Sequence, residues 1–236
     1  MKLTYIRWSM TIIETNGLTI ITDPVFYILG LHQAPKSYTF DRLPRPDLVF
    51  LSHTHIDHFA PSILKRLDPK TPVWAPADKL EKVSQFGLQA LRGVREWESE
   101  KLRGIRLTAV PAVHSGGELG LVIEGDRTVY FAGDTSLDRE VFRSIGHRWK
   151  LDAVLLPIGD LRALGLSFHH ISARRALQAL RLLGEPRLVV PTHYSGMTLG
   201  PILYFRDTPR KLAEAVSESE LGTIIGTTRP LETVEL

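Results

Sequence analysis

Six consecutive residues, His53-Thr54-His55-Ile56-Asp57-His58, hold three imidazoles and a carboxylate. These groups are the usual ligands of zinc and its first-row neighbours. Ordinary core packing does not call for four of them together. The plainer alternative is a His-rich surface turn, with Asp57 capping a helix over Pro61 to Leu67. Three later residues outweigh it, because His114, Asp134 and His193 each stand at the end of an apolar run. Singly, each has a bland explanation. A lone histidine after a strand is commonly a hydrogen-bonded structural residue, and an aspartate between Gly133 and Thr135 is commonly a turn. Jointly they bring the ligands to seven: His53, His55, Asp57, His58, His114, Asp134 and His193.

A mononuclear site needs only three or four protein ligands. The surplus predicts two metals, about 3.5–4 Å apart, with a carboxylate between them. Asp134 suits the bridge, because a carboxylate has two oxygens and an imidazole coordinates through one nitrogen at a time. Residues two apart point the same way in extended chain, so His53 and His55 can reach one metal from a strand end or the turn after it. Asp57 and His58 are displaced along the turn and would serve the other.

The elements that must position these residues are legible as strands. Residues 3–8, 11–15 and 18–22 read as three short strands, with Asn16-Gly17 as a hairpin turn. Residues 25–46 lack a clean period and read as a long irregular excursion that contains His32 and Tyr38, residues either of loop surface or of substrate contact. Asp47 to Ser52 is a buried strand that leads into the histidine cluster. Helices follow over 61–67 and near 78–86, with short strands among 73–75 and 88–106. Strand 105–111 leads to His114. Strands 119–124 and 128–132, turned by Gly125-Asp126, lead to Asp134. A helix near 138–146, strand 153–157, a loop from Gly159-Asp160 to His169-His170, helix 172–183, strand 188–190, a helix near 208–219 and strand 223–226 complete the chain. The second half thus repeats the first half's mixture. Two sheets packed face to face, with helices outside, fit this order. Every ligand then converges on one sheet edge.

Composition narrows the chemistry. The chain has 236 residues, 43% of them hydrophobic, enough for a substantial core in one domain or two intimately packed halves. There is no cysteine, so any metal must be held by His, Asp or Glu. The net charge of +3 comes without a dense Lys/Arg run, so nucleic acid is not an expected partner. No run approaches the ~18 apolar residues of a membrane span, and the N-terminus lacks a signal peptide's apolar segment. The expectation is a soluble cytoplasmic protein. The apolar alternation of Leu231, Val234 and Leu236 leaves two options open, covering a sheet edge or joining a second copy as a homo-oligomer.

The pattern His53-x-His55-x-Asp57-His58, His114, Gly133-Asp134-Thr135 and Pro191-Thr192-His193-Tyr194 resembles the metallo-β-lactamase superfamily. Together with Thr22-Asp23-Pro24 and Leu156-Pro157-Ile158-Gly159, it resembles the branch that holds ascorbate-6-phosphate lactonase, N-acylphosphatidylethanolamine phospholipase D and other metal-dependent hydrolases. The resemblance spans roughly residues 3–205. It implies an α/β fold, the four-layer αβ/βα sandwich, as a single domain over 1–236. It implies that His53, His55 and His114 hold the first metal, that Asp57, His58 and His193 hold the second, and that Asp134 bridges. Zinc is the expected metal, and manganese and iron fit the same ligands. The implied chemistry is hydrolysis by a hydroxide bridging the two metals, which attacks a carbonyl carbon or a phosphorus. Asp57 or Asp134 would steer its proton while acting as a ligand.

Substrate is less specified, since this scaffold hosts many chemistries. The branch favours a small, anionic phosphodiester or a phosphorylated lactone or ester. Three departures from the branch bear on this. The segment from His114 to Gly120 is short, which suggests an open pocket. Phe168-His169-His170-Ile171 replaces a Phe-Thr-Met or His-Met segment, and His170 aligns with a histidine of the phospholipase-like members, a proton donor or oxyanion stabiliser. Arg174 and Arg175 replace an acidic pair and either are solvated or attract an anion. Asp23 reads either as an acceptor that orients a ligand imidazole or as an Asp-Pro turn, and Asp160 as a site-edge or loop residue. Two rival activities share this fold. A di-iron oxidoreductase usually has Glu where His55 stands and carries a flavin domain. An RNA-processing nuclease usually adds a basic arm or inserted domain.

Overall fold

The structure is a computed structural model and describes residues 1–28, 31–32, 38–114, 117–159, 161–164, 166–168, 171–194, 203–205, 209–226 and 229–236. The chain begins as an antiparallel meander of β1 (Lys2–Arg7), β2 (Met10–Thr15) and β3 (Leu18–Thr22). Asn16 and Gly17 turn the second hairpin with φ of 46° and 73°. That is the left-handed pair a two-residue hairpin turn needs. The excursion after β3 is not wholly irregular. It holds a small hairpin of β4 (Tyr27–Ile28) and β5 (Leu31–His32), then a tight turn over Phe40–Arg42.

Pairing then becomes parallel. β6 (Leu48–Phe50) lies beside β3, and β7 (Val73–Pro76) and β8 (Leu91–Val94) extend the sheet outward. The connections carry α1 (Pro61–Leu64) and α2 (Leu80–Ser84). Both helices are shorter than their patterns predict. Asp68 precedes Pro69, which biases the chain away from helix and ends α1 in turns. Ala77–Lys79 forms a separate 3-10 turn ahead of α2.

The second half repeats the plan. β9 (Ser99–Leu102), β10 (Ile105–Ala112), β11 (Glu118–Glu124) and β12 (Thr128–Phe131) are antiparallel. α3 (Arg139–Arg148) crosses to β13 (Ala153–Pro157), which is parallel to β12. The segment after Gly159 reads as a loop from sequence, yet it forms β14 (Leu161–Ala163) and β15 (Leu166–Phe168). α4 (Ala173–Leu182) leads to β16 (Leu188–Thr192), parallel to β13. β17 (Leu203–Phe205) adds to the β14–β15 hairpin, and α5 (Pro209–Ser217) precedes β18 (Ile224–Ile225), parallel to β16. β19 (Thr233–Glu235) returns to pair with β1, Leu3 opposite Val234. The C-terminal alternation therefore covers a sheet edge.

The result is two seven-stranded sheets, ordered β19-β1-β2-β3-β6-β7-β8 and β18-β16-β13-β12-β11-β10-β9. Their inner faces share one core. Leu3, Tyr5, Ile20, Leu48 and Phe50 of the first sheet meet Leu107, Leu121, Phe131 and Leu155 of the second, all fully buried. Phe50 and Phe131 meet edge to face at 6.1 Å, an arrangement aromatic pairs prefer. Side chains alternate along a strand, so Val154 and Leu156 of β13 point to the outer face. There they pack with Phe142 and Ile145 of α3, Ala176 and Leu180 of α4, and Leu212 of α5. Ile63 and Leu64 of α1 and Val83 of α2 cover the first sheet's outer face. This is the αβ/βα sandwich, helices outside two facing sheets. β6 and β13 are buried along their whole length, as strands of a sheet covered on both faces must be. Among the described residues no helix is long and apolar enough to cross a membrane.

Candidate metal centre

All seven sequence-predicted ligands are described, and each follows a strand of the two main sheets. His53, His55, Asp57 and His58 follow β6, His114 follows β10, Asp134 follows β12 and His193 follows β16. The first four are folded by their own backbone. His58 N–H and Phe59 N–H both donate to the His55 carbonyl, at 3.0 and 2.9 Å. Of the two sequence readings, strand end or the turn after it, the turn runs from His55 to Phe59, just past His53. His53 and His55 come together, with ring centroids 4.4 Å apart.

Three overlapping groups emerge: His53, His55 and His114; Asp57, His58 and His193; and His53, His58 and Asp134. Within each group the ligand atoms lie within 4.8 Å of one another. Asp134 Oδ2 sits 3.8 Å from His58 Nε2, 3.6 Å from His114 Nε2 and 3.7 Å from His193 Nε2. Asp57 Oδ2 sits 3.2 Å from His193 Nε2 and 3.7 Å from His58 Nε2. His53, His58, Asp134 and His193 are buried, while His55 is exposed and Asp57 and His114 are partly so. The cluster thus has a closed floor and an open side.

The donor set fits divalent metal. His53 Nε2 and His58 Nε2 are buried with no hydrogen-bond partner among the described residues. An orphaned buried polar atom is costly, and two facing one cluster of carboxylates are explained by cations. Their other ring nitrogens are engaged. His58 Nδ1 lies 2.8 Å from Asp23 Oδ2, and His53 Nδ1 lies 3.0 Å from Ser52 Oγ. A held Nδ1–H fixes the tautomer that offers Nε2 to a metal.

Asp23 is fully buried and held at φ 41°. It also accepts from the Ser52 N–H and Ser52 Oγ, both at 2.7 Å. Of its two sequence readings, the geometry gives the acceptor. Three neighbours carried no sequence signal that singled them out. Ser52 links Asp23 to His53. Trp8 accepts the His193 N–H on its carbonyl at 2.9 Å and lays its ring against His193 at 4.8 Å. Glu118, 2% exposed, accepts the Asp134 N–H and lies 3.3 Å from His53 Nδ1.

The crowding shows in the electrostatics. Burial opposes charge on His58, but Asp57, Asp23 and Asp134 outweigh it and push its pKa up to about 10. Metal binding at Nε2 must displace that proton. Burial, then the neighbouring His58, pushes His53 down. Burial would raise Asp57, yet His58 and His193 hold it below the usual carboxylate range. Burial and Asp134 push Glu118 well above that range. Bound cations invert this local logic by favouring every carboxylate in its charged form.

Other sequence candidates fall elsewhere. Tyr38 stacks on Phe26 at 6.2 Å in the outer core of the first sheet and is a packing residue. Arg174 and Arg175 are exposed on the first turn of α4. His32 is described only as part of β5. Asp160, His169 and His170 lie outside the described residues.

The arrangement is that of a dinuclear metal-dependent hydrolase. Residues 19–194 match the model of the beta-lactamase superfamily domain. A UPF0173 metal-dependent hydrolase from Nanoarchaeum equitans is 30% identical over 231 residues, covering 92% of this chain and 95% of its own. One from Methanosphaerula palustris is 35% identical over 209 residues, covering 83% and 84%. A metallo hydrolase from the hyperthermophilic archaeon Ignicoccus hospitalis superposes with a TM-score of 0.80 at 29% identity, over 99% of this chain and 97% of that one. The chain belongs to the beta-lactamase superfamily and, within it, to the metal-dependent hydrolases.

Proposed function

We propose that residues 1–236 form one catalytic domain that hydrolyses a small anionic substrate, a phosphodiester or a phosphorylated lactone or ester, with two zinc ions. The observation that carries the dinuclear part is Asp134 Oδ2, within 3.8 Å of three imidazole nitrogens drawn from both ligand groups. In this assignment His53, His55 and His114 hold one ion, Asp57, His58 and His193 hold the other, and Asp134 lies between. Zinc suits a thiolate-free His/Asp set, and manganese and iron suit it also.

When bound, such ions supply a water acidic enough to react near neutral pH and polarise the substrate oxygen. The chain's own residues do the rest. Asp23 and Ser52 lock imidazole orientations from behind. Asp57, which is on the open side, or Asp134 would steer the proton that a reacting water gives up. His170, by its resemblance to the phospholipase-like members, is proposed to donate a proton to the leaving group or stabilise its charge. An anionic substrate is supported by a cation beside the ligand turn: Lys82 Nζ lies 3.1 Å from the Thr54 carbonyl, between two ligand histidines in sequence.

The test is metal-reconstituted protein assayed against a chromogenic phosphodiester, an aryl ester, a lactone and a β-lactam. The reading expects turnover of the phosphodiester or the lactone. Turnover of the β-lactam alone would overturn the substrate class. Tightly bound iron with oxygen reduction and no hydrolysis would overturn the hydrolytic chemistry.

A further inference from the structure

We propose that Glu118 is a positioning residue for the metal pair, tying a ligand of each sheet together and completing the charge that two divalent ions require. The inference rests on the dinuclear reading above. Glu118 opens β11, and its Oε1 touches two ligands at once. It accepts the backbone N–H of Asp134, which follows β12 of the second sheet. It also lies 3.3 Å from Nδ1 of His53, which follows β6 of the first sheet. The adjacent Leu119 N–H donates to the Ser52 carbonyl at 3.1 Å, so β11 is fastened to the residue before His53.

The surroundings are built for this contact. Gly133 has φ 65°, and a Cβ there would come within 2.7 Å of Glu118 Oε1. Only a residue without a side chain lets the carboxylate reach the Asp134 peptide. Nδ1 of His53 thereby faces two oxygens, Ser52 Oγ and Glu118 Oε1. Ser52 spends its hydrogen on Asp23, so Ser52 Oγ accepts the imidazole N–H, the Glu118 carboxylate lies against the same ring nitrogen, and Nε2 is left to a metal.

A carboxylate this deeply buried needs compensation, and the protein supplies little. Glu118 Oε2 has no hydrogen-bond partner among the described residues. Two divalent ions carry four positive charges. Asp57 and Asp134 answer two of them, and Asp23 behind His58 and Glu118 beside His53 answer the others. A purely structural strut would be served as well by glutamine, which keeps the acceptor and drops the charge.

That difference defines the experiment. Metal-free wild type and E118Q are titrated with zinc against a chromogenic chelator and with cobalt(II) by absorption, and the thermal unfolding of both metal-free proteins is recorded. E118Q should weaken one of the two binding steps by about tenfold to a hundredfold and shift the cobalt ligand-field bands. Metal-free E118Q should unfold at or near the wild-type temperature, because glutamine keeps the oxygen that accepts the Asp134 N–H. E118D, which keeps the charge but withdraws the oxygen, should bind more tightly than E118Q and still show shifted bands. Wild-type affinities and spectra in E118Q would overturn the proposal. So would metal-free E118Q unfolding well below wild type, which would show that the carboxylate supports the fold without any metal. Wild-type protein that takes up no second ion would sink the dinuclear reading itself, a separate result.

Discussion

The two halves of the molecule share a plan and spend it differently. Each begins with antiparallel strands and continues with parallel ones linked by helices. The first half puts four ligands into the single turn after β6, where local hydrogen bonds hold them. The second half supplies three ligands from the ends of β10, β12 and β16, separated by whole elements. The last antiparallel strands, β3 and β12, occupy matching places and lead to Asp23 and Asp134 respectively. One aspartate stands behind a histidine, and the other stands among the imidazole nitrogens. The ligand turn is thus a local feature, whereas the second half's contribution exists only when the sheets are in register.

The largest effect expected from this contrast is at Asp134. Replacing it with alanine removes the group shared by both ligand sets, and kcat/KM of the folded, metal-replete variant should fall by at least about a thousandfold, ~4 kcal/mol of barrier. A loss below tenfold would mean that the two halves do not meet there. Its counterpart comes next. Asp23→Asn leaves every ligand in place and loosens His58 directly and His53 through Ser52, so metal affinity should drop by about tenfold to a hundredfold. Competition with a chelator measures this, and an Asp23→Asn variant with wild-type affinity would show that His58 needs no support.

A third prediction concerns backbone. The first half tolerates Asp23 itself at φ 41°, whereas the second half uses Gly133, at φ 65°, before its aspartate. Gly133→Ala combines a left-handed conformation with a contact on Glu118 and should cost about 1–3 kcal/mol in denaturant unfolding. Unchanged stability would show that the peptide before Asp134 can shift freely.

The smallest effect lies at the far end of β3 and β12, where the two hairpin tips touch. Asp126 accepts from the Thr15 hydroxyl and pairs with the Met1 ammonium at 2.5 Å. Burial would raise its pKa, but those two partners outweigh it and hold the carboxyl below its usual range. Its contribution is therefore complete above the unfolded carboxyl pKa of about 3.9 and is lost as pH falls through the lower folded value. The side chain is 44% exposed, so solvent screening limits the gain to about 0.5 kcal/mol. Asp126→Asn should lose that much at neutral pH, with a flatter acid limb and unaltered turnover. Any change in turnover would show that the tips are coupled to the metal centre.

How much was legible follows from the same contrast. The turn after β6 can be read because its chemistry is contiguous. His114, Asp134 and His193 can be read only jointly, each as the residue at which an apolar run stops. Asp23 was visible as one of two readings, and only its 2.8 Å contact with His58 separates them. Glu118 was not visible as a site residue. Its role depends on β11 pairing with β10 so that Glu118 faces Ala112, and on the contact of Leu119 with Ser52, and neither leaves a local trace. The β14–β15 hairpin escaped for a related reason. Its strands are three residues long and gain their third partner from β17, some forty residues away. Helix ends were misplaced where a proline downstream or a tight turn, not the apolar period, decided them.

The central claim is that one cluster, assembled from both halves, holds two metal ions. Elemental analysis of metal-replete protein after gel filtration measures this directly. The account predicts two divalent ions per chain, and a reproducible value of one or fewer would contradict it.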